Sequence, residues 1–255
     1  MQIILNGVWD TGFRAFLLLI IIFSFTSCKK ENMGDCFKGT GKIITQKRSI
    51  EHSFNRIDVE DNISVILTQD NNYSVIVEAG ENLIDLIETD FEANILTLRN
   101  NNKCNWMRSY DKPVRVRISL PELISFQYRS SGNVTSTNTF TIDSTNIEVW
   151  DGSGNVQINV DCRVAVYAIH TGPGDLTIKG KTGVSYVWNS GNGFFYGKDL
   201  ETGYTFITNK GTGDCIVNAE VELGATILHT GDIYYYGNPA VTADLRGSGK
   251  LIKLD

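Results

Sequence analysis

"GTGDCIVNAEVELGATILHTGDIYYYG", residues 211–237, contains one phrase twice: Gly213-Asp214-Cys215 and, eighteen residues on, Gly231-Asp232-Ile233. The phrase, Gly then Asn, Asp or Lys and usually an apolar residue, recurs throughout the second half of the chain. Measured on its glycine it falls at Gly132, Gly154, Gly174, Gly191, Gly213, Gly231 and Gly249, with gaps of 22, 20, 17, 22, 18 and 18 residues. A period of about twenty residues is too short for paired-helix repeats and suits one coil of a β-solenoid; the L-x-x-L-x-L frame of leucine-rich repeats is missing.

Each corner therefore predicts a turn. Gly154, Gly174, Gly213 and Gly231 are expected at positive φ, which glycine adopts freely, beside an Asn or Asp able to bond its own backbone. After the corner, alternation predicts inward columns. Val134, Val156, Leu176, Cys215, Ile233 and Leu251 form one, with Gly193 as a gap; Ile158, Ile178, Phe195, Val217 and Tyr235 form the next. On that register the aromatic triplets 194–196 and 234–236 bury their middle rings. Phe194, Tyr196, Tyr234 and Tyr236 then share an outward flank, with Ile216 and Asn218 between them, as a candidate ligand or partner surface; its alternative fate is cover by the N-terminal half.

Before residue 130 the chain reads as less regular β, with strands at Ile63–Thr68, Tyr73–Ala79, Ile95–Arg99, Val114–Leu120 and Leu123–Tyr128. In "VRVRISL" (114–120) strict alternation gives one wet face, and "NLIDLIETDF" (82–91) fits a short helix or a strand. The expected class is thus all-β, a parallel solenoid with an irregular part (36–129) and regular coils (130–255), and no linker divides it.

Composition agrees and excludes partners. The 255 residues are 42% hydrophobic with 24 Gly and 4 Pro, a turn-rich globular profile. A net charge of −6 without a basic block gives no basis for binding nucleic acid. At the N-terminus "RAFLLLIIIFSFTSC" (14–28) sets a cation, a short apolar run and small polar residues before Cys28. The run is shorter than the roughly 20 residues of a membrane span and fits a secretory signal over 1–27. Cys28 after "FTS" resembles a lipobox, which implies a lipidated N-terminus, a linker over 28–35 and an outer-membrane lipoprotein facing the periplasm or the exterior. An ordinary cleaved signal or an uncleaved anchor is the other reading. Export makes disulfides possible, and Cys36 with Cys104 is the candidate pair.

Catalytic signatures are missing. No G-x-S-x-G, H-E-x-x-H, P-loop or C-x-x-C occurs, and "GTGKII" (39–44) lacks the third glycine of a dinucleotide loop, so no cofactor or metal is expected. His170 and His229 precede "TG" in corners that look equivalent, and Ser153 and Ser248 are corner residues. Asp214 and Asp232 on neighbouring coils are the one carboxylate pair that would suit a polysaccharide-acting enzyme, yet no inserted loops could wall a cleft.

The stretches "CFKGTGKIITQKR" (36–48), "FNRIDVEDNISVILTQ" (54–69) and "GSGKLIKL" (247–254), with the corners between them, resemble the head GIN domain family, labelled auto-transporter adhesins. The resemblance covers nearly all of the chain after the signal. It implies a right-handed β-helix, export from a Gram-negative cell and no catalytic residues. The function expected is a non-catalytic envelope or surface lipoprotein that binds a glycan or surface protein. The rival is a structural periplasmic protein packing against envelope partners.

Overall fold

The computed structural model describes residues 39–103 and 114–255. Cys28, Cys36 and Cys104 lie outside them, and so do the signal and linker. Of these, residues 40–101 and 114–255 belong to one compact unit, whose architecture follows.

In chain order the strands are β1 (Ile43–Lys47), β2 (Arg56–Asp61), β3 (Ile63–Gln69), β4 (Ser74–Gly80), β5 (Ile87–Glu92), β6 (Ile95–Asn100), β7 (Val114–Leu120) and β8 (Ser125–Ser130). The long β9 (Val134–Trp150), β10 (Val156–Thr171) and β11 (Leu176–Asn189) follow, then β12 (Phe195–Tyr196), β13 (Leu200–Asn209), β14 (Cys215–Ile227), β15 (Ile233–Tyr236), β16 (Ala240–Leu245) and β17 (Leu251–Lys253). From β9 onward each coil pairs in parallel with the next, so this is the all-β solenoid the sequence predicts. The long strands bend without leaving the ladder. Along β10 the inward buried positions are Val156, Ile158, Val160 and Cys162, then Ala165, Tyr167 and Ile169, with the outward Ala168 also covered, and this change of parity marks a corner. Between 82 and 91 both expectations hold in part, a 3-10 turn at Ile84–Leu86 leading into β5.

The first inward column is Val134, Val156, Leu176, Phe195, Cys215, Ile233 and Leu251. Phe195 therefore fills the position expected to be a gap and does not belong to the next column. Measuring that coil on Gly191 sets it two residues out of register; Gly193 is the stacked glycine. With Gly193 the gaps become 22, 20, 19, 20, 18 and 18 residues, a more even period.

The corner glycines serve a different purpose from the one expected. Among the described glycines only Gly41, Gly172, Gly180 and Gly237 have positive φ. Gly154, Gly193, Gly213, Gly231 and Gly249 sit where a Cβ would overlap the carbonyl oxygen of the glycine one coil below. Close backbone approach, not turn handedness, requires them. The acidic and amide side chains likewise bond the neighbouring coil and not their own. Asn133 Oδ1 accepts the Asn155 N–H (3.1 Å), Asp175 Oδ1 that of Phe194 (2.8 Å), Asp214 Oδ1 that of Asp232 (2.8 Å) and Asp232 Oδ1 that of Lys250 (2.7 Å).

Under the corners run two fully buried amides. Asn189 and Asn209 each accept the N–H of the glycine two residues on (Gly191, 3.1 Å; Gly211, 3.0 Å) and donate to the Gly213 carbonyl (3.2 and 3.0 Å). In the wet face of β7 the expected arginines pair with one acid on β4: Arg115 and Arg117 reach Glu78 at 2.7 and 2.9 Å.

Candidate functional site

The triplet flank forms, with its register corrected by the same two residues. Tyr196, Ile216 and Tyr234 share one outward column, so the tyrosines stand two coils apart, roughly 10 Å at strand spacing. Tyr236 lies in the adjacent column beside Asn218, and Phe194 lies in the corner column with Asp175, Asp214 and Asp232. The N-terminal strands extend the stack at one end and leave Phe194 and Tyr196 open, 38% and 37% exposed. These two rings stack on each other at 6.0 Å. Tyr234 and Tyr236 are half-buried; the Tyr234 hydroxyl donates to Asp232 (3.3 Å), and Lys198 covers the Tyr236 ring at 5.1 Å. Partial burial, then the Asp175 and Asp214 carboxylates, raise the Tyr196 hydroxyl above its ordinary pKa.

A second surface, which the sequence reading did not find, lies on the last straight segment of the coils. There the outward columns run Val166, Tyr186, Phe206, Gly224, Thr242 and Ala168, Trp188, Thr208, Thr226, Asp244. Tyr186 and Phe206 are stacked, 5.6 Å between centroids and 23° between planes. Trp188 is held by the Lys210 ammonium, 5.3 Å from its ring, and its indole N–H donates to Ser190 Oγ at 3.4 Å. One coil on, the aromatic column drops to Gly224, whose missing side chain leaves room for the Phe206 ring. The step from ring to glycine opens a groove of about 450 Å3, lined by Tyr186, Trp188 and Phe206 on one side and by Thr226, Thr242 and Asp244 on the other. Its signal was present in "YVWN" (186–189) and "FITN" (206–209), which read as one phrase when the window before each corner is aligned at twenty residues.

The acids, histidines and thiols singled out in the corners fall as follows. The Asp214 and Asp232 carboxylates hold backbone N–H groups of the next coil. His170 and His229 are not equivalent after all. His170 stacks on Trp150 at 3.6 Å, with Nε2 3.3 Å from a Glu148 oxygen that also accepts the Trp150 indole N–H (2.6 Å), and Arg129 lies over the same indole at 5.6 Å. His229 instead occupies the glycine position of its corner, where its carbonyl oxygen lies against Gly247. Cys162 and Cys215 are buried free thiols; burial pushes Cys215 up to about 12, and Cys162 up as well.

Residues 53–239 match the family described as "Putative auto-transporter adhesin, head GIN domain", and the chain belongs to that family. Among solved structures, a putative adhesin from Bacteroides fragilis is 24% identical with a TM-score of 0.77, over 84% of this chain and 97% of its own. A putative adhesin from Parabacteroides merdae is 18% identical (TM-score 0.66, 85% and 98% covered). A protein from Parabacteroides distasonis described as a putative lipid binding protein is 17% identical (TM-score 0.63, 85% and 98% covered). At these identities the likeness concerns the fold. No curated protein sequence matches the chain significantly.

Proposed function

We propose that the chain is a non-catalytic adhesion or binding module of the cell envelope, anchored through a lipid on Cys28 and binding through the aromatic groove. The observation that carries the reading is the preorganised row Tyr186, Trp188 and Phe206 beside an open hollow. A rigid aromatic platform loses little conformational entropy on binding. Stacked coils hold it without any lid. The corner acids hold backbone N–H groups of the next coil and His170 is stacked on Trp150, which supports binding over hydrolysis. The groove is preferred to the triplet flank because two of that flank's four rings are half-buried and tied to Asp232 and Lys198.

Beads carrying the full chain should adhere to mucin-coated, collagen-coated or bacterial-cell-coated surfaces, and Trp188→Ala should release them. A chain inert on all of these that co-purifies with an envelope complex would establish the structural periplasmic role instead. Cys28→Ala should move the protein out of the membrane fraction; unchanged retention would indicate an uncleaved anchor.

A further inference from the structure

We propose that the groove takes an uncharged pyranose glycan, laid along the stacking direction, with its C–H faces on Tyr186, Trp188 and Phe206 and its hydroxyls on Thr226, Thr242 and Asp244. This assignment of a ligand class rests on the adhesion reading above. Three features of the groove lead to it. Its platform consists of three rings on two coils, Tyr186 and Trp188 on one and Phe206 on the next, held before any ligand arrives by the Tyr186–Phe206 stack and by Lys210 against Trp188. Sugar C–H faces are apolar and flat, and they bury well on such rings.

A hydrogen-bonding row runs beside the platform. Thr208, Thr226 and Asp244 occupy one outward column, with Thr242 in the column of Phe206 and Gly224. They repeat at strand spacing, roughly 4.8 Å. One sugar unit of an extended glycan advances by a comparable distance, so successive coils can address successive sugars. Hydroxyls and a carboxylate also match the donor-rich rim of a pyranose.

The third feature is charge. Asp244 is the only carboxylate lining the groove. The two nearby cations are already engaged, Lys210 on the Trp188 ring and Arg246 with Asp244 at 3.0 Å. With its carboxylate and cations paired off, the groove aims no cation at an incoming uronate or phosphate, which would lose its hydration without a charged partner. An acyl chain would leave three threonine hydroxyls and Asp244 facing hydrocarbon. A neutral sugar meets neither penalty.

Calorimetry on the full chain with neutral hexaoses (β-1,4-glucan, β-1,3-glucan, α-1,4-glucan and β-1,4-mannan), with hexagalacturonate and phosphatidylcholine vesicles as comparators, tests the assignment. At least one neutral hexaose should give saturable heat. Gly224→Leu, whose Cβ falls 2.8 Å from Phe206 Cδ1 and so displaces that ring as well as filling the hollow, and Trp188→Ala should each weaken it by about tenfold or more. Phe194→Ala combined with Tyr196→Ala should leave it unchanged, with circular dichroism matching the wild type in every case. The assignment is overturned if no neutral hexaose binds, if hexagalacturonate or vesicles bind in their place, or if Gly224→Leu binds as the wild type does. Beads that adhere and are released by Gly224→Leu, with every neutral hexaose inert, would sink the glycan and leave the adhesion reading standing. A hexaose that binds a chain inert on all surfaces would do the reverse.

Discussion

From Val134 onward the coils stack in the order in which they are written, whereas the strands before Ser130 use the same two faces in a different order. The coil β2–β3 comes first in the chain yet lies inside the stack, with β2 flanked by β6 and β8 and β3 by β7 and β9. Antiparallel strands cover the end, β5 on β6 and β4 on β7 from the chain that follows the coil, and β1 on β4 from the chain that precedes it. Those additions blunt the sheet edges that a bare solenoid end would present. Where stacking neighbours are also sequence neighbours, most corners face a corner of their own kind, and one solution recurs with exceptions at Phe194 and His229: glycine over glycine, an Asn or Asp side chain onto the next N–H. Where they are not, each corner is built individually. Ser130 Oγ accepts the Ile63 N–H and donates to the Ile63 carbonyl, both at 3.0 Å, and Asp61 adopts φ 64°.

This contrast explains what could be read in advance. Strands β3, β4, β6, β7 and β8 were legible because burial on one face writes a period of two, whereas β1, exposed along its length, and β2 were not read as strands. The coil period was visible only after residue 130, since before it stacking neighbours are not sequence neighbours and no glycine phrase recurs. A two-residue slip at Gly191 moved Phe195 and the whole triplet flank because "GNG" offers two glycines of equal merit. Positive φ was the wrong reason for the corner glycines, for sequence shows that a side chain is forbidden but not which neighbour forbids it. The groove escaped because outward residues need not repeat; only the rings at 186 and 206, one period apart, betray it.

The largest test of the repeated solution is Gly213→Val. A Cβ there overlaps the Gly193 carbonyl, which belongs to the backbone and cannot swing aside. The coils must separate, at a cost of about 5 kcal/mol or loss of folding. Gly203→Ala serves as the control in the same half, because its Cβ would meet only the Gly183 carbonyl oxygen at 3.0 Å, and it should cost under about 1 kcal/mol. Thermal unfolding distinguishes them. Equal melting temperatures would remove backbone approach as the reason for the glycine column.

A second, smaller effect separates the halves by pH. Cys215 belongs to the regular coils, and burial raises it from 9.0 to about 12. Tyr128, at the junction, is raised by burial from 10.0 to about 12. Both are neutral acids in the folded state. Below their unfolded values neither form ionises, so nothing is lost. Above them the unfolded chain releases a proton that the folded one retains, and stability falls. The loss should therefore begin near pH 9 through the thiol, at up to about 1.4 kcal/mol per pH unit, and steepen from pH 10 through Tyr128 together with Tyr167 of the regular coils, which burial also raises. Cys215→Val should flatten the slope between pH 9 and 10, leaving the share of Cys162, and Tyr128→Phe should act only above pH 10. Denaturant midpoints measured from pH 7 to 11 check this; an unchanged slope in Cys215→Val would place the titration elsewhere.

The smallest effect probes a single task performed by the same residue type in both halves. Asp214 Oδ1 accepts the Asp232 N–H at 2.8 Å, and Asp61 Oδ2 accepts the Asn100 N–H at 2.8 Å. Asp61 does so from a left-handed backbone, while Asp214 is not among the residues at positive φ. Replacement by glycine removes about 1 kcal/mol of hydrogen bonding at either place. At Asp61 it also relieves a conformation that costs a residue with a side chain up to about 1–2 kcal/mol, less for Asp than for most. At Asp214 there is no such relief, and the extra backbone freedom of glycine adds about 0.5–1 kcal/mol of cost. Asp61→Gly should therefore stay within about 0.5 kcal/mol of the wild type, while Asp214→Gly loses about 1–2 kcal/mol. Equal losses in denaturant unfolding would mean that the two corners share one backbone solution, and the division between a repeated and an individually built half would fail at its simplest point.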